Sequence, residues 1–160
     1  MSKLILATEQ GIVVFERKDD GWGESWRELA DHEVTCVTAR SSLILAGTTN
    51  GVFRSQDEGQ SWYEANHGLT TQHVRWMAFH PDTSDLVLAG TEPPNIFVSQ
   101  DRGNSWRLCP EVAQLRDRFK WSLPYSPEAG CVRGFAIHGP RVYAAVEVGG
   151  VLVSDNTGES

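Results

Sequence analysis

Basic residues are in deficit in this chain: 14 Lys and Arg stand against 21 Asp and Glu, leaving a net charge of −7. A nucleic-acid surface is normally basic, so no nucleic-acid partner is expected. No run of about 18 apolar residues occurs, so no membrane span is expected. The start, MSKLILATEQ, places only four apolar letters after its lysine, too few for a signal-peptide core. The three cysteines (Cys36, Cys109, Cys131) form no CxxC, and each lies in or beside an apolar stretch. They read as buried reduced thiols, and a cytoplasmic location fits. No histidine pair has HxH or HExxH spacing, so neither a metal nor a cofactor is expected. Long helical patterning is absent too, with EVAQLRDRFKW as the one exception.

What the chain has instead is a repeat. LILATEQGIVVF begins at Leu4, LILAGTTNGVFRS at Leu43, LVLAGTEPPNIFVS at Leu86 and VYAAVEVGGVLVS at Val142. Aligning the alanine that closes each first run (Ala7, Ala46, Ala89, Ala145) gives steps of 39, 43 and 56 residues. The first two match the period of a four-stranded propeller blade, and the third implies an insertion. Within 73–110 the apolar runs HVRWMAF, LVLAGT, IFVSQ and SWRLC alternate with HPDTSD, EPPN and DRGN. These are four short strands separated by turn chemistry. The unit at 34–66 repeats them, while the first unit lacks an opening strand and the last lacks a closing one. The expected fold is all-β: a partial propeller domain over 1–160, with blades near 1–30, 31–66, 67–110 and 131–160 and an insertion at 111–130. About three and a half antiparallel blades are present, fewer than most rings contain. They read as the N-terminal part of a ring of about six to eight blades, whose remainder would be a partner.

Between third and fourth strands stand SQDEGQSW (55–62) and SQDRGNSW (99–106). A turn here needs acceptors for its own N–H groups and a residue free to adopt positive φ. Asp57 and Asp101 supply the first, Gly59 and Gly103 the second, and Ser55 and Ser99 bond across the turn. Trp62 and Trp106 open the next strand with a large apolar ring. Ser154, Asn156 and Gly158 repeat three of the four positions. In the first unit DDGWGESW keeps only Gly23 and Trp26 of the pattern. The motif resembles the Asp-box, or bacterial neuraminidase repeat, of sialidases, some xyloglucanases, sortilin-type receptors and photosystem II assembly factors. The resemblance implies a β-propeller and leaves activity open, since such proteins do unrelated things on one scaffold.

On such a fold the four-to-one and two-to-three connections share a face, where ligands meet the propeller, and the Asp-box turns lie opposite. Candidate binding residues on the ligand face are Arg116, Arg118, Trp121 and Tyr125 of the insertion, with His67 and His73 flanking another four-to-one loop. Glu92 and Glu147, in two-to-three loops, are the candidate catalytic carboxylates; Glu9 or Gln10 corresponds in the first unit. The bland readings are a decorated surface helix with Leu115 and Phe119 packing down, and solvated loop charges. With no catalytic motif present, the function expected is a non-catalytic scaffold binding a protein or carbohydrate ligand. The alternative is a sialidase-like glycoside hydrolase acting on glycans. Convergence of Glu92, Glu147, Arg116 and Arg118 on one pocket would favour the enzyme.

Overall fold

The computed structural model describes residues 2–125 and 130–160, so the end of the insertion, 126–129, lies outside the described residues. It forms four antiparallel sheets of three, four, four and three strands. Blade 1 holds β1 (Lys3–Thr8), β2 (Gly11–Lys18) and β3 (Gly21–Glu28). Blade 2 holds β4 (Val34–Arg40), β5 (Leu43–Thr48), β6 (Gly51–Ser55) and β7 (Tyr63–Glu64). Blade 3 holds β8 (Val74–Phe79), β9 (Val87–Thr91), β10 (Ile96–Ser99) and β11 (Arg107–Leu108). Blade 4 holds β12 (Val132–His138), β13 (Arg141–Val146) and β14 (Gly150–Ser154). Each blade is a meander, so sequence neighbours pair and the turn residues set the register.

The central blades explain the apolar runs. Every residue of LILAGT and GVFRS in β5 and β6 is buried, because the sheet is covered on both faces. Leu43, Leu45 and Val52 face blade 3 and cluster with Val87, Ala89, Phe97 and Trp106. Ala46 and Phe53 face blade 1 and cluster with Ile12 and Val14. Leu86, Leu88, Ile96 and Val98 meet Val132, Val142, Ala144 and Val146 of blade 4. Burying each such aliphatic side chain stabilises by about 1.5–3 kcal/mol. The first strands β4, β8 and β12 lie side by side, so the sheets radiate from a common axis.

The structure corrects the repeat alignment by one residue at both ends. Thr8 Oγ1 donates to Gly11 O as Thr48 Oγ1 donates to Gly51 O. Glu92 N donates to His73 O as Glu147 N donates to Cys131 O. Leu6, Ala46, Ala89 and Ala144 are therefore the equivalent residues, and Ala7 and Ala145 are their neighbours. One residue of slip reverses faces in a strand. Accordingly Ala144 is buried between blades while Ala145 is exposed. DDGWGESW is corrected as well. Gly23 lies inside β3, paired with Glu16, and the turn is the two-residue Asp19–Asp20. Trp26 points forward onto blade 2, so it is not the counterpart of Trp62 or Trp106.

The insertion opens with α1 (Pro110–Phe119), started by Pro110 and ended at Lys120 in the left-handed region. Glu111 in its first turn and Arg116 and Arg118 in its last complement the helix dipole. Its buried anchor is Val112; Leu115 is half-buried and Phe119 is 62% exposed, so the expected Leu115/Phe119 pair does not seat the helix.

Candidate functional site

Two sets of polar residues recur from blade to blade, at opposite ends of the sheets. The first is the turn. Ser99 Oγ donates to Asp101 Oδ1 (2.8 Å) and accepts from Gly103 N (2.8 Å). Asp101 Oδ1 also accepts from Asn104 N (3.1 Å) and Ser105 N (2.8 Å), while Oδ2 accepts from Ser105 Oγ (2.6 Å). Ser55, Asp57, Gly59, Gln60 and Ser61 repeat these bonds. In blade 4 Asn156 Oδ1 accepts from Ser154 Oγ and Ser160 N, and its Nδ2 donates to Ser160 Oγ. A second hydroxyl (Ser61, Ser105, Ser160) belongs to the clasp outside the four-position pattern, and it recurs in the repeated letters. The residue before each glycine, at φ 61°, 63° and 58°, turns its N–H onto the first-to-second-strand turn. Glu58 N thus reaches Ser42 O, Arg102 N reaches Asp85 O, and Thr157 N reaches Pro140 O.

Hydrogen bonds from Ser61 Oγ and N and from Ser55 hold the Asp57 carboxyl at about 2. Partial burial would raise Asp101, but the bonds from Ser105 and Ser99 outweigh it and hold that carboxyl at about 2 as well. Both are fixed anions occupied by their own turns, with no proton to give near neutral pH. This supports a structural role.

The second set surrounds the axis at the other end. Each first strand carries a β-bulge at its second residue: Thr35, Arg75 and Arg133. A bulge re-aims a side chain. Thr35 Oγ1 is shared between the carbonyls of Gly47 and Val74, tying β4 to β5 and β8. Arg75 Nε lies 3.6 Å from Glu92 Oε2, with His73 Nδ1 4.0 Å from the same oxygen. Arg133 Nη2 donates to Glu147 Oε1 at 2.9 Å, and Cys131 Sγ lies 3.6 Å from Glu147 Oε2. The Arg133 bond lowers the Glu147 carboxyl below its usual range, and Glu147 in turn raises Arg133. A cavity of about 310 Å³ opens between these groups, lined by Glu9, Glu33, Thr35, Arg75, Trp76 and Arg133 with Val34 and Val132.

Of the sequence candidates, Glu9 lines this cavity, and Glu92, Glu147 and His73 stand behind it, beside the lining residues Arg75 and Arg133. Arg116 pairs with Asp117 and Arg118 lies over the Phe119 ring, both on α1. Trp121 packs onto the blade 4 core and Tyr125 is 77% exposed. His67 is exposed beside Ser105, and its carbonyl accepts from Trp106 N. The convergence of Glu92, Glu147, Arg116 and Arg118 that would favour an enzyme does not occur. The carboxylates are paired instead with Arg75 and Arg133, which the recurrence of Val-Arg at the start of β8 and β12 already signalled. The cysteines are free and buried, and burial pushes the thiols of Cys36 and Cys109 up to about 11.

No protein-family model matches the chain. It is 34% identical over 65 residues to vacuolar protein sorting/targeting protein 10 of Schizosaccharomyces japonicus, covering 41% of this chain. It is 30% identical over 98 residues to the human VPS10 domain-containing receptor SorCS2, covering 58% of this chain. These matches span only 4% and 8% of those relatives' length. Among solved structures, an ancestral GH74 enzyme superposes with TM-score 0.60 at 23% identity over 79% of this chain and 17% of its own. A YCF48 structure bound to D1 peptide superposes with TM-score 0.56 at 12% identity over 88% of this chain and 43% of its own. The radiating antiparallel blades and these structural likenesses give the chain a β-propeller fold.

Proposed function

We propose that the chain is a non-catalytic scaffold that binds a peptide segment of a partner protein at the axial mouth. One observation carries the reading. The two candidate catalytic carboxylates, Glu92 and Glu147, each stand beside an arginine of the first strand in their blade, and Glu147 is held ionised. A glycosidase proton donor needs the opposite shift. Paired charges around an open cavity with an exposed Trp76 suit recognition of a polar main chain and its side chains. Likeness to VPS10-type receptors and to a propeller solved with a peptide supports the same reading.

The glycoside hydrolase alternative draws on the likeness to a GH74 enzyme. A panel of glycosidase substrates, run beside a Glu147→Gln variant, separates the two. The scaffold reading expects no turnover from either protein. It also expects peptides selected on the wild-type chain to lose about tenfold or more in affinity on Arg75→Ala or Arg133→Ala. Turnover that disappears in Glu147→Gln would replace the scaffold with an enzyme.

A further inference from the structure

The strands β2, β6, β10 and β14 are equivalent from blade to blade. At one position three of them carry valine (Val14, Val98, Val153), and β6 carries Arg54. The repeat therefore accepts an apolar residue there, and the arginine is a departure from it. Arg54 is only 5% exposed, and no carboxylate pairs with it among the described residues. A buried cation without a counter-charge is costly.

The hydrogen bonds of Arg54 all go to neutral oxygens. Its Nε donates to Arg102 O in the blade 3 turn at 3.2 Å, and its Nη1 donates to Tyr63 Oη. The Gln56 amide turns its oxygen inward, where it accepts from Arg54 Nη2 at 2.7 Å, from Nη1, and from Tyr63 Oη at 3.0 Å. Three donors thus converge on one point, two of them carrying a positive charge, and the group held there is neutral. Gln56 is itself exposed, so its side chain is free to swing into solvent. Gln100 repeats the glutamine in blade 3, but Val98 and Arg107 pair there as Arg54 and Tyr63 pair in blade 2, and the valine offers Gln100 no donor.

The hydrogen bonds of this cluster are complete and its charge is not. An anion in place of the amide keeps all three bonds, makes each of them charge-assisted, and supplies the missing counter-charge. The amide is planar and has the shape of a carboxylate, so a carboxylate fits the space it fills, whereas a tetrahedral phosphate is larger. We propose that Arg54 and Tyr63 form a carboxylate-binding site on the outer rim between blades 2 and 3, plugged in the free chain by the Gln56 amide. A carboxylate, free or on an acidic side chain of a partner, displaces the amide oxygen and takes its donors. The site is separate from the axial mouth and does not depend on the function proposed for it.

The test titrates acetate at constant ionic strength and follows the side-chain Nε–H resonance of Arg54. Gln56→Ala removes the plug without removing a donor, so acetate should bind that variant about tenfold more tightly than the wild type. Arg54→Met, an apolar exchange of the kind the three valines already make, should abolish binding in the Gln56→Ala background. Inorganic phosphate should bind more weakly than acetate. A blocked peptide GGEGG should reproduce the acetate shift, and GGQGG should not; a shift with acetate and none with GGEGG assigns the site to free carboxylates. No acetate shift in Gln56→Ala, or tighter binding of phosphate, overturns the proposal. Gln56→Glu gives a second measurement that needs no ligand, since it places a carboxylate on the same donors. It should raise Tm by about 3 °C or more where Arg54 is present and not in Arg54→Met. A fall in Tm, or an equal rise without Arg54, would refute the site.

Discussion

Replacing Asp101 by Asn and by Ala separates what its carboxylate does by shape from what it does by charge. The carboxylate accepts from two hydroxyls and two backbone N–H groups at 2.6–3.1 Å. Ala removes every acceptor. Water replaces some of them at this exposed turn, so the loss is discounted to that of a missing helix cap, about 1–2 kcal/mol. For a domain of this size that lowers Tm by roughly 2–8 °C. Asn is a gentler change, and the chain contains its own precedent. Asn156 holds the blade 4 turn with Oδ1 on Ser154 Oγ and Ser160 N and Nδ2 on Ser160 Oγ. Asp101→Asn should therefore keep the turn and lose only charge assistance, less than about 1 kcal/mol. The pH dependence gives a second axis. The folded carboxyl sits at about 2, below its ordinary 3.8. Its contribution is present above pH 4 and is lost as pH falls from about 4 to about 2. Thermal unfolding followed by circular dichroism at pH 7 and pH 3 should show the wild type losing more stability than Asp101→Asn over that interval. If Asn costs as much as Ala, or the acid loss is undiminished in Asp101→Asn, the clasp is not an anion held by donors and the reasoning fails.

Trp106→Ala opens a cavity between blades 2 and 3 and should cost about 3–5 kcal/mol in urea unfolding, and a loss below about 1 would contradict its placement at the core. His80 is buried with Nε2 2.8 Å from Gly139 O and Nδ1 accepting from Asp82 N and Thr83 N, so it staples blade 3 to blade 4. His80→Ala should lower stability by about 1–3 kcal/mol, and exchange of amides around Pro140 should speed up more than exchange in β5. Gly68 stands at φ +81° with Trp106 O 2.0 Å from where a Cβ would be, whereas Gly134 faces open space. Gly68→Ala should destabilise by more than about 1 kcal/mol while Gly134→Ala changes little, a contrast readable from paired melting curves.

The fold was legible because its signals are local and repeated. Strand number per blade followed from apolar runs cut by turn letters, and the clasp followed from two near-identical octapeptides. Both are written within a few residues of where they act. The repeat is ambiguous where a single letter carries the alignment. Ala145 and Ala144 are equally good matches to Ala89 in a string of letters, and only the pairing of Trp76 with Gly90 and of Gly134 with Ala145 separates them. Trp26 matched the motif letter, yet β3 runs through DDGWGESW without the clasp, and the ring emerges on the opposite face.

The mouth was harder to read, for a physical reason. Arg75 and Arg133 sit inside strands whose alternation reads as ordinary, and what aims them at Glu92 and Glu147 is a bulge in each first strand. A bulge has no obligatory residue type, so a single unit does not announce it. Recurrence does: Val-Thr, Val-Arg and Val-Arg open β4, β8 and β12 in register. Blade 2 places Thr35 where its neighbours place arginine, and puts Thr49 opposite in place of glutamate. In the three blades that have a first strand, arginine and glutamate therefore arrive and leave together; blade 1 keeps Glu9 at the glutamate position without a first strand to carry the arginine. A lone exchange at either position leaves one charge beside the cavity without its partner, so Arg133→Thr should restore more of the wild-type fold when combined with Glu147→Thr than when made alone. Additive losses in that double-mutant cycle would show that the two residues act separately and that the recurrence is coincidental.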